Sequence, residues 1–139
     1  MSTLTRRSIF ALVGLGLWAG TAPVTLAQGD FQSAAQTWLG LVDTARYGDS
    51  WDAASAIFRG AVPKASWEQQ LRGVRQPLGP VVSRALKNAT HATSLPGVPD
   101  GEYEVIQYQT NFQNKASATE TVTMMQDGGV WKAAGYFIR

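Results

Sequence analysis

The chain has 139 residues, of which 45% are hydrophobic, and it carries 12 Lys and Arg against 10 Asp and Glu. It contains no cysteine and one histidine, which excludes disulfides, thiolate nucleophiles, thiolate metal sites and a His-rich metal site within one chain. We therefore expect a single domain that is stable through its hydrophobic core alone and that holds no metal or cofactor.

The first 27 residues have the three-part pattern of a secretory signal peptide. A basic stretch ends at Arg6-Arg7, an apolar run covers residues 8–20, and small residues stand at Thr25 and Ala27. The apolar run has about 13 residues, too few to span a bilayer as a helix. We predict cleavage after Ala27, a domain over 28–139, and a periplasmic location reached by the Sec or the twin-arginine route. A retained membrane anchor is the alternative.

Cleavage at this point would make the chain formally neutral. It would remove Arg6 and Arg7 and no acidic residue, which leaves 10 basic and 10 acidic residues. A neutral domain lacks the positive surface that nucleic-acid binding requires. It also lacks the lysine-rich face of a protein that binds anionic membranes. We expect no nucleic-acid partner and no membrane span after cleavage.

Three helices are predicted after the signal. Gly48 should end the first helix, Gly60 should stop a second one over residues 51–58, and Pro77 should forbid continuation of a third that starts near Pro63. The apolar residues at helical spacing in the first helix are Phe31, Ala34, Ala35, Trp38, Leu41, Val42 and Ala45. The inward stripe of the third helix is predicted to be Trp67, Leu71 and Val74.

Four strands are predicted in the second half, over residues 81–93, 102–112, 116–125 and 130–138. The first alternates poorly between apolar and polar residues, which indicates an edge position or a β-bulge. Asp127-Gly128-Gly129 is typical of a tight hairpin turn. Helices followed by strands predict an α+β fold. We expect three N-terminal helices packed on a curved four-stranded antiparallel sheet, the cone-like plan of cystatin-like and nuclear-transport-factor-2-like domains.

The chain also carries a series of spaced motifs that resembles a known family. They are Trp51-x-x-Ala54-Ser55-x-x-Phe58, Arg75-x-Pro77-Leu78-Gly79, Leu95-Pro96-Gly97-x-Pro99-Asp100-Gly101, Asp127-Gly128-Gly129-x-Trp131-Lys132 and Gly135-Tyr136-Phe137-Ile138. From about residue 31 to residue 138 they resemble the bacterial family catalogued as domain of unknown function 4019. The resemblance implies a small exported protein without an established activity, and it supplies no catalytic residue.

Three polar side chains stand out as candidates for chemistry. Asp43 and Tyr47 are four residues apart and would share one face of the first helix. Glu120 falls in the apolar register of the third strand, together with Val122 and Met124. A carboxylate in an apolar pocket has a raised pKa, and beside a tyrosine it could act as a general base.

The alternative is structural, since buried carboxylates are usually paired. Asp43 and Tyr47 would then tie a helix junction, and Glu120 would form a salt bridge. The candidate partners of Glu120 are Arg75, Arg84 and Lys115.

With no complete catalytic constellation in the sequence, we favour a non-catalytic module that binds a small apolar ligand or a protein segment. A small lyase or isomerase with a carboxylate–tyrosine site is the alternative, and a homodimer through the open sheet face is a further expectation. The predicted pocket is formed by Asp43, Tyr47, Trp67, Tyr108, Phe112, Glu120, Val122 and Met124.

Overall fold

Residues 30–139 are described in a computed structural model, and the predicted signal peptide and its cleavage point lie outside them. Residues 33–139 form a compact unit that contains the whole sheet. The helices and strands of the described residues are α1 (residues 30–43), α2 (Tyr47–Asp52), α3 (Ala56–Ala61), α4 (Lys64–Leu78), β1 (Val81–Ala92), β2 (Tyr103–Phe112), β3 (Lys115–Asp127) and β4 (Val130–Ile138).

The four strands form one open antiparallel sheet in the order β1-β2-β3-β4. The predicted α+β class and antiparallel sheet are therefore confirmed. The hairpin between β3 and β4 turns at Gly128 and Gly129, whose φ angles are 65° and 81°. Two consecutive positive φ values match the twist of a tight hairpin, and glycine adopts them without a steric penalty.

Strand β1 is irregular, as its poor alternation predicted. It lies at one edge of the sheet, and its register with β2 shifts between Val81 and Ser83 and again between Leu86 and Asn88. Such irregularities bend an edge strand and make its backbone a poor template for a further strand.

The described residues contain four helices where the sequence predicted three. The predicted helix over 51–58 is divided because Ser55 begins a new one: its hydroxyl accepts a hydrogen bond from Phe58 N at 3.2 Å. The Ser55 N–H meanwhile donates to the carbonyl of Ala133 in β4 at 2.9 Å. A bond to the sheet and a side-chain cap together stabilise a break that apolar spacing alone does not reveal.

The first helix ends earlier than predicted, and a different residue terminates it. It stops at Asp43, and Ala45 takes the left-handed conformation with φ of 61°. Arg46 N donates to Leu41 O at 2.8 Å and Ala45 N to Val42 O at 3.1 Å, the bond pair of a Schellman motif. Gly48, the predicted terminator, lies inside α2.

Pro77 does not stop the last helix, which runs to Leu78. Proline removes one backbone hydrogen bond of the helix. Because Pro77 lies one residue before the end of the helix, only the last turn loses a bond. Gly79, with φ of 76°, ends the helix, and its N–H is shared between the carbonyls of Arg75 and Gln76 at 3.3 Å each.

The core lies against one face of the sheet. Alternate residues of β2 and β3 on this face are buried, and aromatic side chains from the helices pack in the same core. The ring of Trp67 meets that of Phe58 edge-on at 4.8 Å, and Trp38 meets Tyr136 of β4 at 5.6 Å. The buried strand residues on this face include Ile106, Tyr108, Thr110, Phe112, Ala118, Glu120, Val122 and Met124. No helix within residues 30–139 combines the length and apolarity needed to cross a bilayer.

Candidate functional site

Glu120 sits at the centre of the buried sheet face. It pairs across the sheet with Tyr108 of β2 and Ile138 of β4, and its exposed fraction is 0%. A carboxylate taken out of water in this way needs a full set of hydrogen-bond partners.

Both oxygens of Glu120 have two donors each. Oε1 accepts from Arg84 Nε at 2.7 Å and from the Thr110 hydroxyl at 2.6 Å. Oε2 accepts from Arg84 Nη2 at 3.1 Å and from the Tyr136 hydroxyl at 2.5 Å. A carboxylate has about four lone-pair positions, so all the acceptor capacity of Glu120 is used inside the protein.

Asp43, the last residue of α1, is the second carboxylate on Arg84. Its Oδ2 accepts from Arg84 Nη1 at 2.8 Å, and its Oδ1 accepts from Arg84 Nη2 at 3.0 Å and Arg75 Nη2 at 2.9 Å. Burial by itself would raise the pKa of Asp43, but the hydrogen bonds and charges of Arg84 and Arg75 outweigh burial and lower this pKa below its ordinary value. Asp43 therefore stays ionised at neutral pH.

Arg75 lies on the inward side of α4, four residues after Leu71 and eight after Trp67. This is the helical spacing of the buried stripe, and the Arg75 side chain is only 4% exposed. Val74, which the sequence placed on this stripe, is 48% exposed, so that prediction was wrong. The guanidinium of Arg75 lies 5.0 Å from the ring centre of Phe112, a cation–π contact that favours a buried cation.

Arg75 also closes a ring of contacts, because its Nη1 lies 3.4 Å from the Tyr136 hydroxyl. We call this set the ion ring. Its members are Asp43, Arg75, Arg84, Glu120 and Tyr136. Two carboxylates and two guanidinium groups give it a net charge of zero, and it joins α1 and α4 to three strands of the sheet.

Burial and the neighbouring charges of the ion ring also shift the pKa values of Tyr136 and Arg84. Burial, reinforced by the negative charge of Glu120, raises the pKa of Tyr136 well above its ordinary value, so the hydroxyl remains a donor. Burial would lower the pKa of Arg84, but its hydrogen bonds to Asp43 and Glu120 raise it instead. Tyr136 and Arg84 thus keep their protons at ordinary pH.

A cleft opens beside the ion ring at the C-terminal ends of α1 and α4. Its volume is about 220 Å³. Asp43 and Arg75 belong to both the ring and the cleft, and Tyr47 of α2 and Gln76 of α4 complete the polar part of its wall. The remaining lining residues are Val42, Gly79 and Pro80.

The predicted pocket residues fall into two groups. Asp43 and Tyr47 line this cleft together, although a break in the helix separates them. The others are side chains of the packed core, each at most 5% exposed, and none of them lines the cleft. These core members are Trp67, Tyr108, Phe112, Glu120, Val122 and Met124.

Sequence reasoning named Arg84 and Arg75 as candidate partners of Glu120, and Arg84 is the partner found. Arg75 binds Asp43 instead. Thr110 and Tyr136 were missed as partners of Glu120. The sequence did hold one signal for Thr110: it alternates with Tyr108 and Phe112 in β2, so its hydroxyl had to enter the core.

The fold and this site define the class of the protein: a cysteine-free α+β domain with an open four-stranded antiparallel sheet and a neutral ion ring under its helices. The family model described as "Protein of unknown function (DUF4019)" matches residues 34–136. The chain therefore belongs to that family, as its motifs predicted. No curated protein of known function matches the sequence.

Proposed function

We propose that the protein is an exported, non-catalytic module that binds a small ligand in the cleft beside the ion ring. The observation that carries the proposal is Tyr47, which lines the cleft and is only 6% exposed. Within residues 30–139 its hydroxyl has no hydrogen-bond partner. Unlike the buried hydroxyl of Tyr108, that of Tyr47 keeps some contact with solvent, so a ligand in the cleft can supply its missing partner.

Asp43, which also lines the cleft, supports the same proposal. Three of its roughly four acceptor positions are taken by Arg75 and Arg84 among the described residues, and one on Oδ2 remains. Its side chain is 25% exposed, so that position can be reached from the cleft. A few converging polar groups in a concave site are the usual features of a ligand pocket.

The same contacts favour binding over the alternative of a lyase or isomerase. A general base works best with a pKa near the operating pH, whereas the pKa of Asp43 is lowered by its two arginines. Glu120 has no acceptor position left and no exposure to substrate. Neither carboxylate has the properties that proton abstraction requires.

Export remains a proposal that rests on the sequence pattern of residues 1–27, and the cone-like plan is likewise a proposal. The test of export is the mass of the protein recovered from the periplasm of an expressing cell. We expect a chain that starts at Gln28, and a full-length chain in the membrane fraction would support the retained anchor instead.

The test of ligand binding is an NMR screen of isotope-labelled protein against a set of small polar molecules. We expect hits to shift the amide signals of Tyr47, Gln76 and Gly79. Tyr47→Phe should abolish those shifts without loss of stability, because the hydroxyl has no protein partner to lose.

Tyr108→Phe is the matched control for this screen. The Tyr108 hydroxyl likewise has no hydrogen-bond partner in the described residues, but it is buried and Tyr108 does not line the cleft. This variant should bind as the wild type does. Equal loss of binding in both variants, or hits that map to another surface, would rule out the cleft as the site.

A further inference from the structure

The charge balance around the cleft indicates which class of small molecule it accepts. We infer that the ligand is a neutral molecule whose polar group both donates and accepts hydrogen bonds, such as a primary amide or an alcohol. This inference rests on the proposed binding function and adds the chemistry of the ligand to it.

The charges around the cleft balance one another. The two charged groups that line the cleft, Asp43 and Arg75, are paired with each other at 2.9 Å, and Arg84 and Glu120 behind them add one charge of each sign. Gln76 and Tyr47 contribute dipoles and no charge. An anion would face the partly exposed carboxylate of Asp43, and a cation would face two guanidinium groups, so neither gains a net attraction.

The cleft offers hydrogen-bonding positions of both kinds, acceptor and donor. The free position on Asp43 Oδ2 can only accept, so the ligand must donate there. The Tyr47 hydroxyl and Arg75 can donate hydrogen bonds to the ligand. Arg75 uses two of its five N–H groups among the described residues. The ligand must therefore accept as well. An amide or an alcohol does both without carrying a charge.

The size of the cleft limits the size of the ligand. The cleft holds about 220 Å³, which is below the roughly 300–1,000 Å³ of pockets for drug-sized ligands. Val42 and Pro80 give it an apolar wall beside the polar groups. A compact molecule with one polar end and a few carbon atoms fits these limits.

The test uses three probes of the same planar shape and different charge: acetamide, acetate and acetamidinium. Each is titrated into the labelled mature protein while the amide signals of Tyr47, Gln76 and Gly79 are followed. We expect acetamide to produce saturable shifts at these residues, and the two ions to bind at least severalfold more weakly.

Gln76 allows the charge of the cleft to be changed without touching the ion ring, because it is exposed and makes no side-chain hydrogen bond within residues 30–139. Gln76→Lys should turn the preference toward acetate, and Gln76→Glu should turn it toward acetamidinium. Both variants should unfold at the wild-type urea concentration.

The outcomes separate the two proposals. Preference of the wild type for acetate or acetamidinium would overturn the inference and leave cleft binding intact. Equal binding of all three probes, or preferences that the Gln76 variants do not move, would also overturn it. No shift at the cleft with any probe would overturn both the inference and the proposed function.

Discussion

The two carboxylates that share Arg84 have opposite environments. Glu120, on β3, is fully buried and receives four hydrogen bonds. Asp43, at the end of α1, is partly exposed on the rim of the cleft and keeps one acceptor position. The sequence marked both as candidate catalytic groups. The comparison shows that one belongs to the architecture of the core and that the other is placed to meet a ligand.

Of the substitutions that test this difference, neutralising Glu120 should have the largest effect on stability. Glu120→Gln keeps the shape of the side chain but leaves Arg84 without its buried counter-charge. Breaking a buried ion pair at one partner costs about 3–5 kcal/mol, and we expect a loss of that size in the free energy of unfolding. Urea denaturation of the purified protein measures it.

Glu102→Gln provides the matched control, because Glu102 is an exposed carboxylate beside His91 at 3.3 Å. An exposed pair of this kind contributes at most about 1 kcal/mol. If Glu120→Gln destabilised the protein no more than this control does, the ion ring would not be a main support of the fold.

Asp43→Asn should have a smaller effect that depends on pH. The pKa of Asp43 is lower in the folded protein than its value of about 3.9 in an unfolded chain. The ionised carboxylate therefore stabilises the fold above about pH 4, and this contribution disappears as the pH falls through the folded-state pKa. We expect Asp43→Asn to cost about 1.5–3 kcal/mol at pH 7.

The pH dependence provides the check. Unfolding free energies of the wild type and of Asp43→Asn should converge as the pH is lowered below about 4. A gap that stays constant down to pH 3 would mean that the charge of Asp43 is not what stabilises the contact with Arg75 and Arg84.

The smallest expected effect concerns the backbone that positions Asp43. Ala45 holds a left-handed conformation with φ of 61°, which costs an L-residue about 1–2 kcal/mol. Ala45→Gly should stabilise the protein by about 1 kcal/mol, measured as a higher urea midpoint at unchanged slope. The pH dependence assigned to Asp43 should not change.

Ala53→Gly is the control for this substitution, since Ala53 also lies at the C-terminal end of a helix but has an ordinary right-handed conformation with φ of −84°. Glycine relieves no strain there, and we expect a loss of roughly 0.5–1 kcal/mol. Stabilisation at both positions would contradict the assignment of strain to Ala45.

The sequence predicted most strand positions correctly and fewer of the helix boundaries. Strand positions followed from alternation and from turn residues such as Gly128 and Gly129, because both signals are local. The start of the last helix at Pro63 was predicted, but the break at Ser55 was missed and the end of the first helix was misplaced. Ser55 begins α3 with a side-chain cap and is held by a bond from its N–H to Ala133, far along the chain. Ala45, and not the predicted Gly48, takes the left-handed conformation at the end of the first helix.

The site shows the same division. Alternation correctly placed Glu120 among the apolar residues of β3. The i, i+4 spacing predicted that Asp43 and Tyr47 lie close together, and both line the cleft. The remaining predicted pocket members are buried in the core, because apolar alternation does not distinguish a ligand cavity from ordinary packing.

By itself, the sequence determined the α+β class, the four strands with their tight hairpin, the reliance on a core without disulfides, and membership of the family. Only the tertiary structure decided that Glu120 pairs with Arg84, 36 positions away, and that Asp43 joins the same guanidinium from another element. The physical reason is that local spacing encodes backbone conformation, whereas the partner of a buried charge depends on which distant elements pack against it and in which register.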